Sequence, residues 1–253
     1  MPFTLAHPAA VLPVRRIPGL RTFPLIIGSI TPDLPYFAPY RIARWMTETH
    51  TLLGTVVTDV PLGMLLLIAI YLLRRPLTEL LSNRARVLCL RALERFGRRP
   101  MSWLLAPLSI LVGAWTHLLW DSFTHEGGWV VQEMSLLRAP VTIGWYTGQV
   151  CHVLQYLSSV LGLAVLFIWY RSHAAAMPQG RDRWQDRLVL ALVFLAALVI
   201  GGTQAAQPAH GQAIYRISYL LLTRIIAWFA VLYLLAGALV TVSRRSDEPQ
   251  LAG

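Results

Sequence analysis

The sequence predicts an all-α membrane protein, a polytopic helical bundle of about five spanning helices preceded by an N-terminal helical hairpin. Three observations predict it. The 253 residues are 56% hydrophobic and only 13% charged, where a soluble domain carries about 25% charged residues. The apolar residues gather in runs that approach or exceed the roughly 20 helical residues needed to cross a hydrocarbon core. The charge between the runs is one-sided: the net charge is +10, and all 22 basic residues are arginine. A basic chain can bind nucleic acid, but arginines set between apolar runs are a topology signal. No nucleic-acid partner is expected.

Residues 1–50 are not a plain span. Prolines at positions 2, 8, 13, 18, 24, 32, 35 and 39 interrupt them. Pro18-Gly19 is a turn signal. The apolar stretch 20–30 is about half the length a span requires, and Pro32 ends it. The expected form is a hairpin running from His7 to a turn at Pro18-Gly19 and back to Asp33, which puts His7 and Asp33 at one end. The rival is a single kinked span over 17–40, which would part them. The start lacks a charged segment followed by an apolar core, so no cleavable signal peptide is expected.

The spans follow in order at 51–73, 103–120, 150–170, from 188 to about 202, and at 217–242. The first is interrupted by Asp59. Residues 74–100 are an Arg-rich loop whose middle, 77–96, fits an amphipathic interfacial helix. A second basic loop covers 171–187. Residues 121–149 read as a polar connection containing Gly and Trp, and 203–216 as a shorter one. Residues 1–243 form a single integral membrane domain on this reading, with 244–253 as a disordered tail. If the arginine-rich segments are cytoplasmic, five spans alternate without conflict. Residue 50 and the connection at 121–149 then fall on the non-cytoplasmic side of a bacterial inner membrane. Arg15, Arg16 and Arg21 must then reach headgroups or line a polar cavity. Cys89 and Cys151 have no short spacing, so neither a disulfide nor a Cys-rich metal site is expected.

One stretch organises the rest: Thr116-His117-Leu118-Leu119-Trp120-Asp121-Ser122-Phe123-Thr124-His125-Glu126. His117, Asp121 and His125 recur every four residues, so on a helix they stack on one face. A polar stripe closing an apolar run is costly unless something satisfies it. The charge rule brings His50 to the same membrane face, and the hairpin brings His7 and Asp33 together. His7, Asp33, His50, His117, Asp121 and His125 are therefore the candidate metal ligands, with Asp33 and Asp121 as candidate catalytic bases. Imidazole and carboxylate ligands suit zinc or a similar divalent metal, and six of them suffice for one or two ions. Asp59 and His152 are candidates for orienting the ligands. Gln155 and Ser158-Ser159 share the stripe of His152, where helix packing explains polar residues equally well. His173 and His210 read as solvated loop residues. Trp115, Trp120, Trp129 and Trp145 read as interface anchors.

The segments MPFTLAHPAAVLPVRR, GSITPDLPYF, THTLLGTVVTDVPLG and HLLWDSFTHEGGW resemble an uncharacterised bacterial family of multi-spanning membrane proteins over roughly residues 1–240. That family is distantly similar to predicted inner-membrane metal-dependent hydrolases, whose motifs correspond here to Pro32-Asp33, Thr49-His50-Thr51 and residues 117–124. A remoter likeness is to the all-helical zinc phospholipase C and nuclease group, whose ligand order matches His7, Asp33, His50, His117, Asp121 and His125. That group's final His-x-x-x-Asp/Glu pair is missing, because Tyr156 stands four residues after His152. What the resemblance implies is hydrolysis of a lipid or lipid-linked phosphoester by one or two metal ions. The alternative is a non-enzymatic scaffold or transport component whose His/Asp network is structural or conducts ions.

Overall fold

The structure, a computed structural model, describes residues 4–38, 48–144, 146–180, 182–206 and 214–246. It is helical almost throughout. Four helices are long and apolar enough to cross a membrane: Leu52–Leu72 (α3), Val150–Ala175 (α10), Trp184–Ala206 (α11) and the stretch Tyr219–Arg244 within Ile214–Ser246 (α12). The remaining expected span, 103–120, is a short helix Pro100–Leu104 (α6) followed by Ala106–Thr124 (α7). The C-terminal half of α7 carries Thr116, His117, Asp121 and Ser122, which lower its hydropathy below that of the other four. Its polar face is turned inward, as a site-bearing helix requires.

The chain sorts into two compact units: Met1–Pro35, Arg41–Ile68 and Arg99–Ser172 form the first, and Tyr36–Tyr40, Ala69–Arg98 and His173–Gly253 the second. In the first unit the N-terminal segment doubles back. A 3-10 helix, Thr4–Ala10, runs into a single turn, Val11–Val14 (α1). The chain then reverses at Gly19, whose φ of 89° is left-handed and favours glycine. It returns as Thr22–Ile30 (α2) and a 3-10 segment Thr31–Phe37. Thr4 Oγ1 donates a 2.7 Å hydrogen bond to Asp33 Oδ2 across the two arms. Arg15, near the bend, lies over the Trp169 ring at 5.6 Å.

Helix α2 packs along α7 with the backbones in contact. A Cβ on Gly28 would fall 2.0 Å from the Ile110 carbonyl oxygen, and one on Gly113 would fall 2.3 Å from that of Leu25. Small residues let membrane helices approach this closely. Val11, Leu25, Ile27, Ile110 and Ala114 are buried around the crossing, and the Arg21 amide donates to Ser109 Oγ at 3.0 Å. Helix α3 is tied to α7 by the Trp115 indole N–H, which donates to Thr55 Oγ1 at 3.1 Å. The stretch Thr55–Asp59 is a wide π-turn, a distortion common near functional sites.

The connection at 121–149 is more ordered than its composition suggests. It forms two single-turn helices, Trp129–Glu133 (α8) and Ser135–Arg138 (α9), then an antiparallel hairpin of Pro140–Ile143 (β1) and Tyr146–Gln149 (β2). Val141, Thr142, Ile143, Tyr146 and Thr147 suit a pleated surface, and Gly144 takes a positive φ at the turn. Val130, Val131, Leu137 and Cys151 close a small core beneath it.

In the second unit the Arg-rich segment is two helices, Arg74–Glu79 (α4) and Asn83–Gly97 (α5). Ala85, Leu93 and Phe96 are the buried side of α5, which is amphipathic as expected but shorter. Helices α11 and α12 pack on each other, and α12 also packs on α4, where Tyr233 donates to the Leu77 carbonyl at 2.9 Å. Both cysteines are free. His210 and Trp145 lie outside the described residues.

Because α2 and α7 touch through main chain at Gly113, Gly113→Ala must push the helices apart. Overpacking of this kind costs about 1–3 kcal/mol. The expected outcome is a lower melting temperature in detergent than for Gly202→Ala, where a Cβ meets nothing within 4 Å.

Candidate metal centre

Five of the six expected ligands converge in the first unit, delivered by three separate segments. The hairpin supplies His7 and Asp33, the turn before α3 supplies His50, and α7 supplies His117 and Asp121. His7, Asp33 and His117 offer ligand atoms that all lie within 4.8 Å of one another, and so do His50, His117 and Asp121. His117 belongs to both triads. Its Nε2 lies 3.2 Å from Asp121 Oδ2 and 3.6 Å from Asp33 Oδ1. His50 Nε2 lies 3.5 Å from the same Asp33 oxygen and 3.8 Å from Asp121 Oδ2. His7 Nε2 lies 3.6 Å from Asp121 Oδ1. Two ligands of a tetrahedral zinc ion with bonds of about 2.0 Å are about 3.3 Å apart. These separations are of that size.

The second nitrogen of His117 fixes its tautomer. Nδ1 is 2.8 Å from the Ser29 main-chain oxygen. A carbonyl oxygen only accepts, so Nδ1 carries the proton and donates it. In the neutral ring Nε2 is then a bare lone pair facing two carboxylate oxygens. Lone pairs at such distances repel unless a cation lies between them. A proton on Nε2 could serve one of the two carboxylates, whereas a metal ion serves both. Among the described residues, His117 Nε2, both ring nitrogens of His7 and Asp121 Oδ1 are buried without a hydrogen bond.

Burial, and then the His117 ring stacked 3.7 Å away, pushes the His7 imidazole down to about 3. It is therefore neutral at pH 7, with a lone pair to offer. Burial works to raise Asp33, but hydrogen bonding from His50, helped by the Thr4 hydroxyl, works against it, and the carboxyl is held down at about 2. Asp33 is ionised.

The other expected residues are placed differently. His125 follows the last residue of α7 and has an extended backbone, so the four-residue stacking of a helix stops short of it. Its Nδ1 turns back to Asp121, 3.4 Å from Oδ1 and 3.3 Å from the main-chain oxygen. Burial lowers its affinity for a proton. Asp59 is fully buried in the π-turn of α3, and neither of its oxygens has a hydrogen-bond partner among the described residues. His152 pairs with Glu126 at 3.3 Å and belongs to neither triad. Ser158 accepts from the Trp120 indole at 3.3 Å, a packing contact. Three supports went unread in the sequence. They are Thr4 on Asp33, Thr49 Oγ1 3.2 Å from His50 Nδ1, and the main chain of Ser29.

Thr4→Val removes the donor to Asp33 Oδ2 without changing the side chain's shape. A buried acceptor left unmade costs about 1–3 kcal/mol, and loss of a ligand's outer partner weakens metal binding about 10- to 100-fold. The expected outcome is a folded protein of lower melting temperature that, loaded with added zinc, gives the ion up to a weaker chelator than zinc-loaded wild type does. A Thr4→Val chain identical to wild type in both assays would show that Asp33 is not held by Thr4.

None of the curated proteins and none of the solved structures compared matches this chain. A family model does, over residues 1–242. The chain therefore belongs to the family described as a domain of unknown function, DUF4184, and this His/Asp centre is the feature of its fold that chemistry singles out.

Proposed function

We propose that His7, Asp33, His50, His117 and Asp121 hold one divalent cation of the zinc type, and that the protein is a metal-dependent hydrolase of a lipid or lipid-linked phosphoester. The observation that carries the reading is His117 Nε2, buried without a hydrogen-bond partner among the described residues, its ring held by Ser29 at Nδ1 and two carboxylates 3.2 and 3.6 Å away. One imidazole nitrogen donates one lone pair, so the two triads that share it describe one ion rather than two. Such an ion, when bound, supplies a water of lowered pKa and polarises an ester oxygen. The chain's own part is to hold the ligands in place, to exclude bulk water on the His7 side, and to accept a proton at a carboxylate oxygen.

An apolar cleft beside the centre supports a lipid substrate. It has a volume of about 790 Å³ and runs between the hairpin, α7 and α10, with His7, Trp120, Phe123, Leu157 and Leu161 among its walls. His7 belongs to both cleft and centre. Along α10 the cleft extends from Leu154 to Val165, about 16 Å at 1.5 Å per residue. That is about half of a 30 Å hydrocarbon core, one leaflet deep. An acyl or isoprenoid chain in the cleft would bring its phosphoester head towards the ligands. The likeness of Pro32-Asp33, Thr49-His50-Thr51 and residues 117–124 to motifs of membrane metal-dependent hydrolases agrees with this reading. So does the charge rule, which assigns the centre to the non-cytoplasmic side of the inner membrane.

Elemental analysis of the detergent-purified chain, prepared without chelators, tests the proposal. Wild type should carry about one zinc or manganese ion per chain, and His117→Ala/Asp121→Ala essentially none, with release of phosphate or of a phosphorylated head group from lipid lost in parallel. A metal-free wild type would leave the centre as a proton-conducting or bracing network and end the hydrolase reading.

A further inference from the structure

A second cavity lies wholly within the second unit. It has a volume of about 640 Å³, and its walls include five arginines, Arg74, Arg75, Arg86, Arg183 and Arg244, against two acids, Glu79 and Glu94. The walls thus carry an excess of three positive charges. The arginines come from three sequence segments: the Arg-rich helices, the loop before α11, and the end of α12. A topology signal requires only that basic residues lie near the membrane on one side. It does not require three of them to meet around one space.

Part of the wall is fixed. Glu79 is buried and accepts from Arg86 Nη2 at 3.0 Å and from Arg244 Nη1, while Arg244 Nη2 reaches Asp186 Oδ1. Arg244 is thereby held between two carboxylates, and Glu79 is satisfied without further help. Arg74 lies over the Tyr71 ring at 4.7 Å and donates to its carbonyl at 2.7 Å. Among the described residues, no carboxylate pairs with Arg74, Arg75 or Arg183. The surplus charge is therefore concentrated on side chains that line the opening.

From this juxtaposition we propose that the cavity binds a phosphate-bearing anion, either the head group of an anionic phospholipid or a soluble pyrophosphate-type ion. Guanidinium forks match phosphate oxygens two at a time, and basic pockets among membrane helices take lipid phosphate in the same way. The walls hold no thiol or imidazole, and their two carboxylates are outnumbered by five arginines, which suits an anion rather than a metal ion. The site does not depend on the metal centre or on the hydrolase reading.

The test uses the full chain in detergent, with thermal shift and native mass spectrometry as readouts. The probes are phosphatidic acid, inorganic pyrophosphate and, as the zwitterionic control, phosphatidylcholine. Wild type should bind one equivalent of phosphatidic acid or of pyrophosphate in preference to phosphatidylcholine. Binding of the lipid alone identifies the head group as the ligand, and binding of pyrophosphate identifies a soluble anion. Arg75→Gln/Arg183→Gln should weaken that binding about 30-fold, at about 1 kcal/mol for each arginine. Its ligand-free melting temperature should be unchanged, because neither side chain has a carboxylate partner among the described residues. Failure of wild type to bind either anion, or equal binding by wild type and the double variant, would overturn the proposal.

Discussion

The centre depends on one close approach, the main chain of α2 against the main chain of α7. Gly28 and Gly113 leave no room for a side chain at the crossing, and that absence brings the Ser29 carbonyl within 2.8 Å of His117 Nδ1. Everything chemical about the site follows from that bond. It sets the tautomer, turns Nε2 toward Asp33 and Asp121, and locks the ring that both triads share. In hydrocarbon, association of helices relies on such packing and on polar contacts between them. Fold and site are therefore held by the same pair of helices.

The electrostatics explain why the centre is more than a polar seam. Two carboxylates and three imidazoles are gathered where water is scarce, and an uncompensated buried charge is expensive. Burial keeps His7 neutral, while Asp33 stays ionised with hydrogen bonding from His50 as the leading influence against burial. A purely structural network would be expected to close on itself through hydrogen bonds. Among the described residues, this one leaves His7, His117 Nε2 and Asp121 Oδ1 without such partners. A divalent cation would satisfy several of these atoms at once, where a single proton on Nε2 serves one carboxylate.

Much of this was legible in the sequence, and the failures have identifiable causes. His117 and Asp121 could be paired because helical spacing is fixed. The proline pattern with Gly19 could be read as a reversal because few residues tolerate a positive φ. That reversal brings Thr4 to Asp33. For His125 the spacing of four alone could not fix the place, because it holds only while the helix lasts and α7 ends at Thr124; the ring reaches Asp121 by turning back from an extended residue. The strands at 140–149 were hidden inside a connection whose glycines and polar residues resemble loop composition. Residues 77–96 read as one amphipathic helix, but the chain turns between Glu79 and Asn83. Ser29 could not have been found at all, since its main-chain oxygen does the work and its side chain bonds the Ile26 carbonyl instead. Thr4 and Thr49 stood beside recognised ligands, but a hydroxyl in a motif announces no partner until the fold supplies one.

The two carboxylates are chemically alike but are not equivalent in this setting. Asp33 is 2% exposed, and its Oδ2 is occupied by the Thr4 hydroxyl, which leaves only Oδ1 toward the imidazoles. Asp121 faces His117 and His50 with Oδ2 and directs Oδ1 toward His7 and His125. Its side chain is 13% exposed, against 3% for that of Asp33. A general base must hand its proton on to solvent after each turnover. Asp33, closed off and bonded, is suited to anchor an ion. Asp121 can ligate through one oxygen and take a proton on the other, and the partly exposed His125 beside it offers the next step outward. On the proposed hydrolase reading, the ligand role and the base role, both open to either acid in the sequence, would divide according to which carboxylate the hairpin has sealed.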